Sequence, residues 1–203
     1  MNTLKAENIS FEYIEKRPIL KDLNFEMNNN EVVGLFGDSG SGKSTFCKIL
    51  TRFIHDYSGK ITINNQEIES GFNPIQLIFQ HPEKVMNPKW KMNKIIRESW
   101  NPTDDILDEF GIKKDWFDRY PSELSGGEQQ RFSILRALNP KTQFVIADEI
   151  TTMLDAVTQV QIWKSLLKIA KEKQIGVLVV SHDYNLLNRI TDRIVYLDNI
   201  NNI

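Results

Sequence analysis

Gly37-Asp38-Ser39-Gly40-Ser41-Gly42-Lys43-Ser44 is the segment of the chain whose residue types and spacing most clearly promise chemistry. The spacing is G-x-x-x-x-G-K-[ST], and it follows directly on the apolar run Glu31 to Phe36, the strand context that such a loop requires. Glycines let the backbone curl until its N–H groups point inward at phosphate oxygens, and the helix that follows presents its positive end to the anion. Lys43 is then placed to reach the β and γ phosphates of a nucleotide. Ser44 supplies a hydroxyl to Mg²⁺, with phosphate oxygens and water filling the other positions. Thr45 joins the same binding set. The competing reading is a Gly/Ser-rich loop ahead of a helix, and both the spacing and the preceding strand weigh against it.

A second constellation is Phe144-Val145-Ile146-Ala147-Asp148-Glu149, two acids at the end of an apolar strand. Burying carboxylates without a cation is costly, and a Mg²⁺-nucleotide resolves the cost. Asp148 would hold the metal through water, while Glu149 would polarise the water that attacks the γ phosphate. A strand-end helix cap is the alternative role.

The elements that must position these groups are legible in outline. Leu4 to Tyr13 and Ile19 to Met27, followed by Asn28-Asn29-Asn30, read as an antiparallel β start closed by a turn. Glu31 to Phe36, Ile75 to Phe79, Phe144 to Ala147 and Gly176 to Val180 are short apolar runs of the kind buried on both faces of a parallel sheet. Helical patterns such as Val157 to Lys171 lie between them, which argues an α/β core. Between about Asn87 and Tyr120 the pattern changes to Pro, Trp90, Trp100 and Trp116, with the apolar spacing Ile95, Ile96, Trp100 and Ile106, Leu107, Phe110. This predicts a small helical subdomain.

The 203 residues, 40% hydrophobic and 26% charged, suit one globular domain with a substantial core. A net charge of -2 gives no overall electrostatic reason to expect nucleic acid as a partner. Cys47 is the only cysteine, which excludes an intrachain disulfide and a Cys-rich metal cluster and reads as a small buried hydrophobe. The opening Met1 to Lys5 lacks the apolar core of a signal peptide, and no stretch approaches the length of a bilayer span, so any membrane contact is expected to be peripheral.

Leu124-Ser125-Gly126-Gly127-Glu128-Gln129-Gln130-Arg131 resembles the signature sequence of ABC ATPases. Ser-Gly-Gly is also an ordinary helix N-terminus, and the two readings coincide physically, because an exposed N-terminus carrying backbone donors is an anion site. The resemblance implies a P-loop NTPase fold: a RecA-like core over about residues 1–86 and 136–203, with a helical signature subdomain inserted at about 87–135. It also implies that Ser125, Gly126, Gly127 and Glu128 face the γ phosphate held by an opposite subunit. Glu128 stands where the family usually has Gln, so the backbone donors are kept while a negative charge is placed near phosphate.

Further positions follow in the family's order. Tyr13 resembles the aromatic that stacks on adenine with little reading of the base; a partly buried sheet tyrosine is the alternative. Gln80 resembles the glutamine that contacts metal or water and lets go as the helical subdomain rotates, against a solvated loop residue. Asp155 resembles the acid that crosses the dimer interface, with a helix N-cap as its other possible role. His182, after Val177 to Val180, resembles the switch histidine that bridges Glu149 and the γ phosphate, against a histidine held for structure.

Gln80-His81-Pro82 through Met86-Asn87-Pro88-Lys89-Trp90, Arg119 to Glu123, and Glu149-Ile150-Thr151-Thr152-Met153-Leu154-Asp155 to Ile162 look like the peptide and nickel importer branch. The chain departs from the peptide-type members by ending at Ile203 and by its short helical insert, which favours the shorter nickel or metal-chelate subunits; a peptide importer ATPase is the alternative. The resemblance implies an ATPase that binds ATP and Mg²⁺ at the cytoplasmic face of the cell membrane. Its implied partners are a second ABC ATPase subunit in a heterodimer, two membrane permeases and an extracytoplasmic substrate-binding protein. A soluble clamp of DNA repair or translation is the rival. Repair clamps of that kind need a long coiled coil between the phosphate loop and the signature, and translation factors usually carry two cassettes in one chain; this sequence has neither. A degenerate, non-hydrolysing partner is a further rival, which the presence of every catalytic position opposes.

Overall fold

The computed structural model describes residues 1–15 and 17–202; the chain end at Ile203 lies outside them. Two strands, β1 (Thr3–Ile14) and β2 (Arg17–Asn28), pair antiparallel. With β4 (Ser58–Ile63) and β5 (Gln66–Glu67) they form a four-stranded sheet in the order β2-β1-β4-β5. The second sheet contains β3 (Val32–Phe36), β6 (Ile75–Ile78), β7 (Phe144–Asp148), β8 (Gly176–Ser181) and β9 (Arg193–Tyr196). Its order is β6-β7-β8-β3-β9 and every pairing is parallel.

The parallel strands read as unbroken apolar runs because both their faces are covered. Side chains alternate across a strand, so Phe144 and Ile146 enter one core while Val145 and Ala147 enter the other. Leu178 and Val180 likewise oppose Val177 and Val179. One core packs against the antiparallel sheet and α1 (Lys43–Leu50), with Phe46, Ile49 and Leu50 fully buried. The other packs against α4 (Gly126–Ala137) and α5 (Ala156–Lys173).

The helical insert is formed by α2 (Met92–Arg97), α3 (Asp104–Glu109), short 3-10 turns at Lys114–Asp118 and Pro121–Glu123, and α4. Trp116 and Phe132 pack in its core, and the Trp100 indole donates to the Leu135 carbonyl at 2.8 Å. The expected subdomain boundary at 135 falls inside α4, which continues to Ala137 and packs against α2, β6 and the 3-10 turn at Pro82–Lys84. The chain ends with α6 (Tyr184–Ile190) and α7 (Leu197–Ile200). No helix among the described residues is long and apolar enough to cross a membrane.

Candidate active site

The phosphate loop connects β3 to α1, and glycine is required at its end. Gly42, the N-cap of α1, has φ 105°, and a Cβ there would stand 3.0 Å from Ile19 Cγ2 and 3.2 Å from the Ile19 carbonyl oxygen. No side chain caps α1, so its first N–H groups stay available to an anion. The Lys43 ammonium is buried and donates to the carbonyls of Gly37 and Asp38, both at 2.7 Å. Two of its three protons hold the loop, which leaves one for a phosphate oxygen.

Asp148 ends β7 beside this helix. Burial raises its carboxyl above the ordinary aspartate range and the neighbouring Glu149 charge raises it further, while the Ser44 hydroxyl and the Lys43 and Lys48 charges oppose them. Asp148 Oδ1 and Ser41 Oγ are buried without a hydrogen-bond partner. An Asp148 carboxyl oxygen left unpaired beside the Ser44 hydroxyl fits a Mg²⁺ that takes few protein ligands and keeps its waters and phosphate oxygens. Cys47 is buried behind them, and burial pushes its thiol well above the usual range, as expected of an inert packing residue.

Glu149 starts the turn after β7 with φ 50°, a left-handed conformation that costs about 1–3 kcal/mol for a residue with a side chain. Its N–H donates to the Val180 carbonyl on β8 at 3.0 Å. His182 Nδ1 lies 2.9 Å from Glu149 Oε1, so the ring proton on Nδ1 donates to the carboxylate. Gln80 Nε2 donates to Glu149 Oε2 at 3.4 Å and to Thr152 Oγ1 at 3.1 Å. Thr152 Oγ1 in turn donates to the Glu149 carbonyl at 3.1 Å. Gln80, Glu149 and His182, chosen from distant parts of the sequence, therefore meet at one place. Thr152, a small polar residue in a turn with no chemistry of its own, is the member that sequence reasoning missed. Its only signal is its position three residues after the acid.

Tyr13 is 60% exposed, its hydroxyl 3.3 Å from Thr45 Oγ1 at the start of α1, and Phe11 meets its ring edge-on at 4.7 Å between centroids. An accessible aromatic ring beside the phosphate loop suits a purine. Asp155 is the N-cap of α5. It accepts from the N–H groups of Val157 and Thr158, and from the Thr158 hydroxyl at 2.6 Å. Those bonds, the Thr158 hydroxyl first, hold its carboxyl below the usual range. The capping role is thus the one visible within the chain.

The signature segment does not join the phosphate loop. Ser125 caps α4, and Ser125 with Gly127 and Glu128 lines a cleft of about 630 Å³ shared with Trp116, Arg131 and Lys164. Gly40 and Ser41 line a separate cleft, and Glu149 with His182 another. Glu128 forms a capping box: its Oε2 accepts from the Ser125 N–H at 2.8 Å, and its own N–H donates to Ser125 Oγ at 3.3 Å. The N–H groups of Gly126 and Gly127 lack intrahelical acceptors, as the first turn of any helix does.

A buried parallel sheet feeding a glycine loop with its lysine at a helix N-terminus, and an acid pair on the adjacent strand, define a nucleotide-binding domain of the P-loop class. The profile of the ABC transporter family matches residues 20–152. The oligopeptide transport ATP-binding protein OppF of Bacillus subtilis is 31% identical over 94% of this chain and 71% of its own length. The nickel import system ATP-binding protein NikE of Staphylococcus aureus is 30% identical over 96% of this chain and 86% of its own. Across such curated relatives the chain spans from 56% to 86% of their length. A dimeric ATP-binding cassette solved in a post-hydrolysis state with ADP and Pi superimposes with a TM-score of 0.79 at 26% identity, over 96% of this chain and 94% of that one. The chain belongs to the ABC transporter family.

Proposed function

We propose that this chain is the ATP-hydrolysing subunit of an importer, at the cytoplasmic face of the membrane, for nickel, another transition metal or a metal chelate. A peptide importer ATPase is the second reading, which the similarity to OppF favours as directly as the similarity to NikE favours the first.

The observation that carries ATP hydrolysis is the convergence of Gln80, Glu149 and His182 at the strand ends next to Asp148 and the phosphate loop. ATP is the substrate. Lys43, Ser44 and the free N–H groups of α1 bind its phosphates, Tyr13 offers a face to the base, and Glu149 takes the proton of the attacking water while His182 orients its carboxylate. Ser44 and Asp148 would hold Mg²⁺, with Gln80 at its edge, and the metal would neutralise charge on the transferring phosphoryl group.

The separation of Ser125–Glu128 from the phosphate loop supports a site completed by a second ABC subunit. The cleft lined by Ser125, Gly127 and Glu128 shares no residue with the one lined by Gly40 and Ser41, and the related cassette with ADP and Pi is a dimer. ATP contacts both subunits only when they close, which gives it the differential affinity to drive closure. We infer a heterodimer, two permeases and an extracytoplasmic binding protein as partners. A groove of about 730 Å³ lined by Phe53, Phe72 and Phe79 of the core and by Glu98 and Arg136 of the helical insert spans both subdomains, and so suits a permease segment that must feel their relative rotation.

The test is ATP turnover of the chain reconstituted with its permeases, second ATPase and binding protein, with nickel, metal chelates and short peptides as stimulants. Stimulation by metal or chelate alone supports the first reading. Stimulation by peptide alone replaces it with the second.

A further inference from the structure

Thr152 has no role in the reading above, yet every one of its polar bonds runs to a group that reading places in the site. Its hydroxyl donates to the Glu149 carbonyl and accepts from Gln80 Nε2, both at 3.1 Å, and its N–H donates to the same carbonyl at 3.3 Å. Two bonds from one residue therefore converge on the carbonyl of Glu149, the residue whose φ of 50° is left-handed. Such a conformation persists only where the surroundings over-determine it.

The turn that carries Thr152 is itself anchored from behind. Thr151 is buried, its hydroxyl accepts from the Trp163 indole at 3.1 Å, and its carbonyl accepts from Gln159 Nε2 at 2.7 Å. Both donors lie on α5, a helix of the core. Thr152 is exposed in front of this anchored turn, so its hydroxyl is not needed to fill the core.

We propose that Thr152 is a positioning residue for ATP hydrolysis: its hydroxyl fixes the backbone of Glu149, and hence the direction of its carboxylate, and parks the Gln80 amide against that carboxylate. This deepens the proposed ATPase reading and rests on it. A hydroxyl has one proton to give and lone pairs to accept with. Here the proton goes to Glu149 and the lone pair to Gln80, so the two groups are joined through one oxygen. Gln80 follows β6 and precedes the helical insert, which makes Thr152 the point where movement of that insert would be felt at the acid.

The test compares Thr152→Val, which keeps the shape and loses the hydroxyl, with Thr152→Ser, which keeps the hydroxyl, in the reconstituted transporter. The valine variant is expected to lower kcat about tenfold with the KM for ATP changed less than about twofold, and the serine variant to restore kcat to within about twofold. A double substitution with Gln80→Ala should lose less than the product of the two single losses, because both remove the same bond. Wild-type kcat in the valine variant overturns the proposal. So does a loss shared by valine and serine variants in step with their Tm, since that is a folding effect. Absence of ATP turnover in the wild-type assembly is a different failure, that of the ATPase reading itself.

Discussion

His182 and Glu149 meet across two neighbouring parallel strands, Nδ1 of one 2.9 Å from Oε1 of the other, the histidine following β8 and the acid following β7. In the proposed reading Glu149 is the base, and this contact keeps His182, its orienting partner, within hydrogen-bond reach. His182→Ala is expected to lower kcat by about 10²–10³-fold while the KM for ATP changes less, because the ring's hydrogen bond runs to Glu149. Steady-state kinetics separate the two constants.

The phosphate loop tolerates different losses at its two left-handed glycines. Gly42→Ala adds a Cβ that meets Ile19 at 3.0 Å at a φ of 105°, whereas at Gly40, with φ 85°, nothing lies within 4 Å. Gly40→Ala should carry only the conformational strain, about 1–2 kcal/mol. Gly42→Ala should carry that strain plus displacement of the loop, and weaken ATP binding by a further factor of about ten or more. Binding of a fluorescent ATP analogue to each variant ranks them.

Asp148 ties function to a stability cost. Burial first, and the Glu149 charge after it, raise the folded carboxyl above its ordinary value of 3.8. A raised carboxyl binds its proton more tightly folded than unfolded. Stability is therefore highest below the unfolded value and falls as pH rises toward the folded one, leaving a constant penalty at neutral pH. Asp148→Asn removes that penalty and should raise Tm at pH 7, by about 2–4 °C for each kcal/mol recovered, while abolishing Mg²⁺-dependent turnover. At pH 3 the gain should vanish, and thermal melts at the two pH values check both signs.

Glu128→Gln isolates a charge from a cap. Either side chain can close the capping box on the Ser125 N–H, so the helix start survives and only the negative charge leaves the cleft. Closure on the γ phosphate of the opposite subunit should then need several-fold less ATP, and the difference from wild type should shrink in high salt. Titrations of ATPase rate against ATP at low and high ionic strength read this out.

Much of the site was legible because its chemistry is local. Gly37 to Ser44 and Asp148-Glu149 each sit at the end of an apolar run, so motif and strand identify one another. The antiparallel start at Leu4 to Met27 and the helix near Val157 to Lys171 were read with ends displaced by one or two residues, as fraying and caps dictate. The weakly apolar strands β4 and β5 give no run to read, since Ser58-Gly59-Lys60 opens one and Gln66-Glu67 is the other; in β9 the run Ile194-Val195-Tyr196 is only three residues long and passes directly into α7. The expected boundary near 135 falls within α4, and the apolar pattern of that helix runs through it without a break. Thr152 was invisible for a different reason. Its importance lies in a left-handed φ at Glu149, and no sequence pattern reports that a glutamate adopts one.

Glu149 as the base of ATP hydrolysis is tested most directly by steady-state turnover of the wild-type chain and of Glu149→Gln, each assembled with its permeases and partner cassette in the presence of Mg²⁺. The expected result is Mg²⁺-dependent hydrolysis by the wild type, and a loss of about 10²-fold or more in the variant accompanied by an ATP-bound closed pair that persists through gel filtration. Turnover in the variant equal to that of the wild type would contradict the assignment.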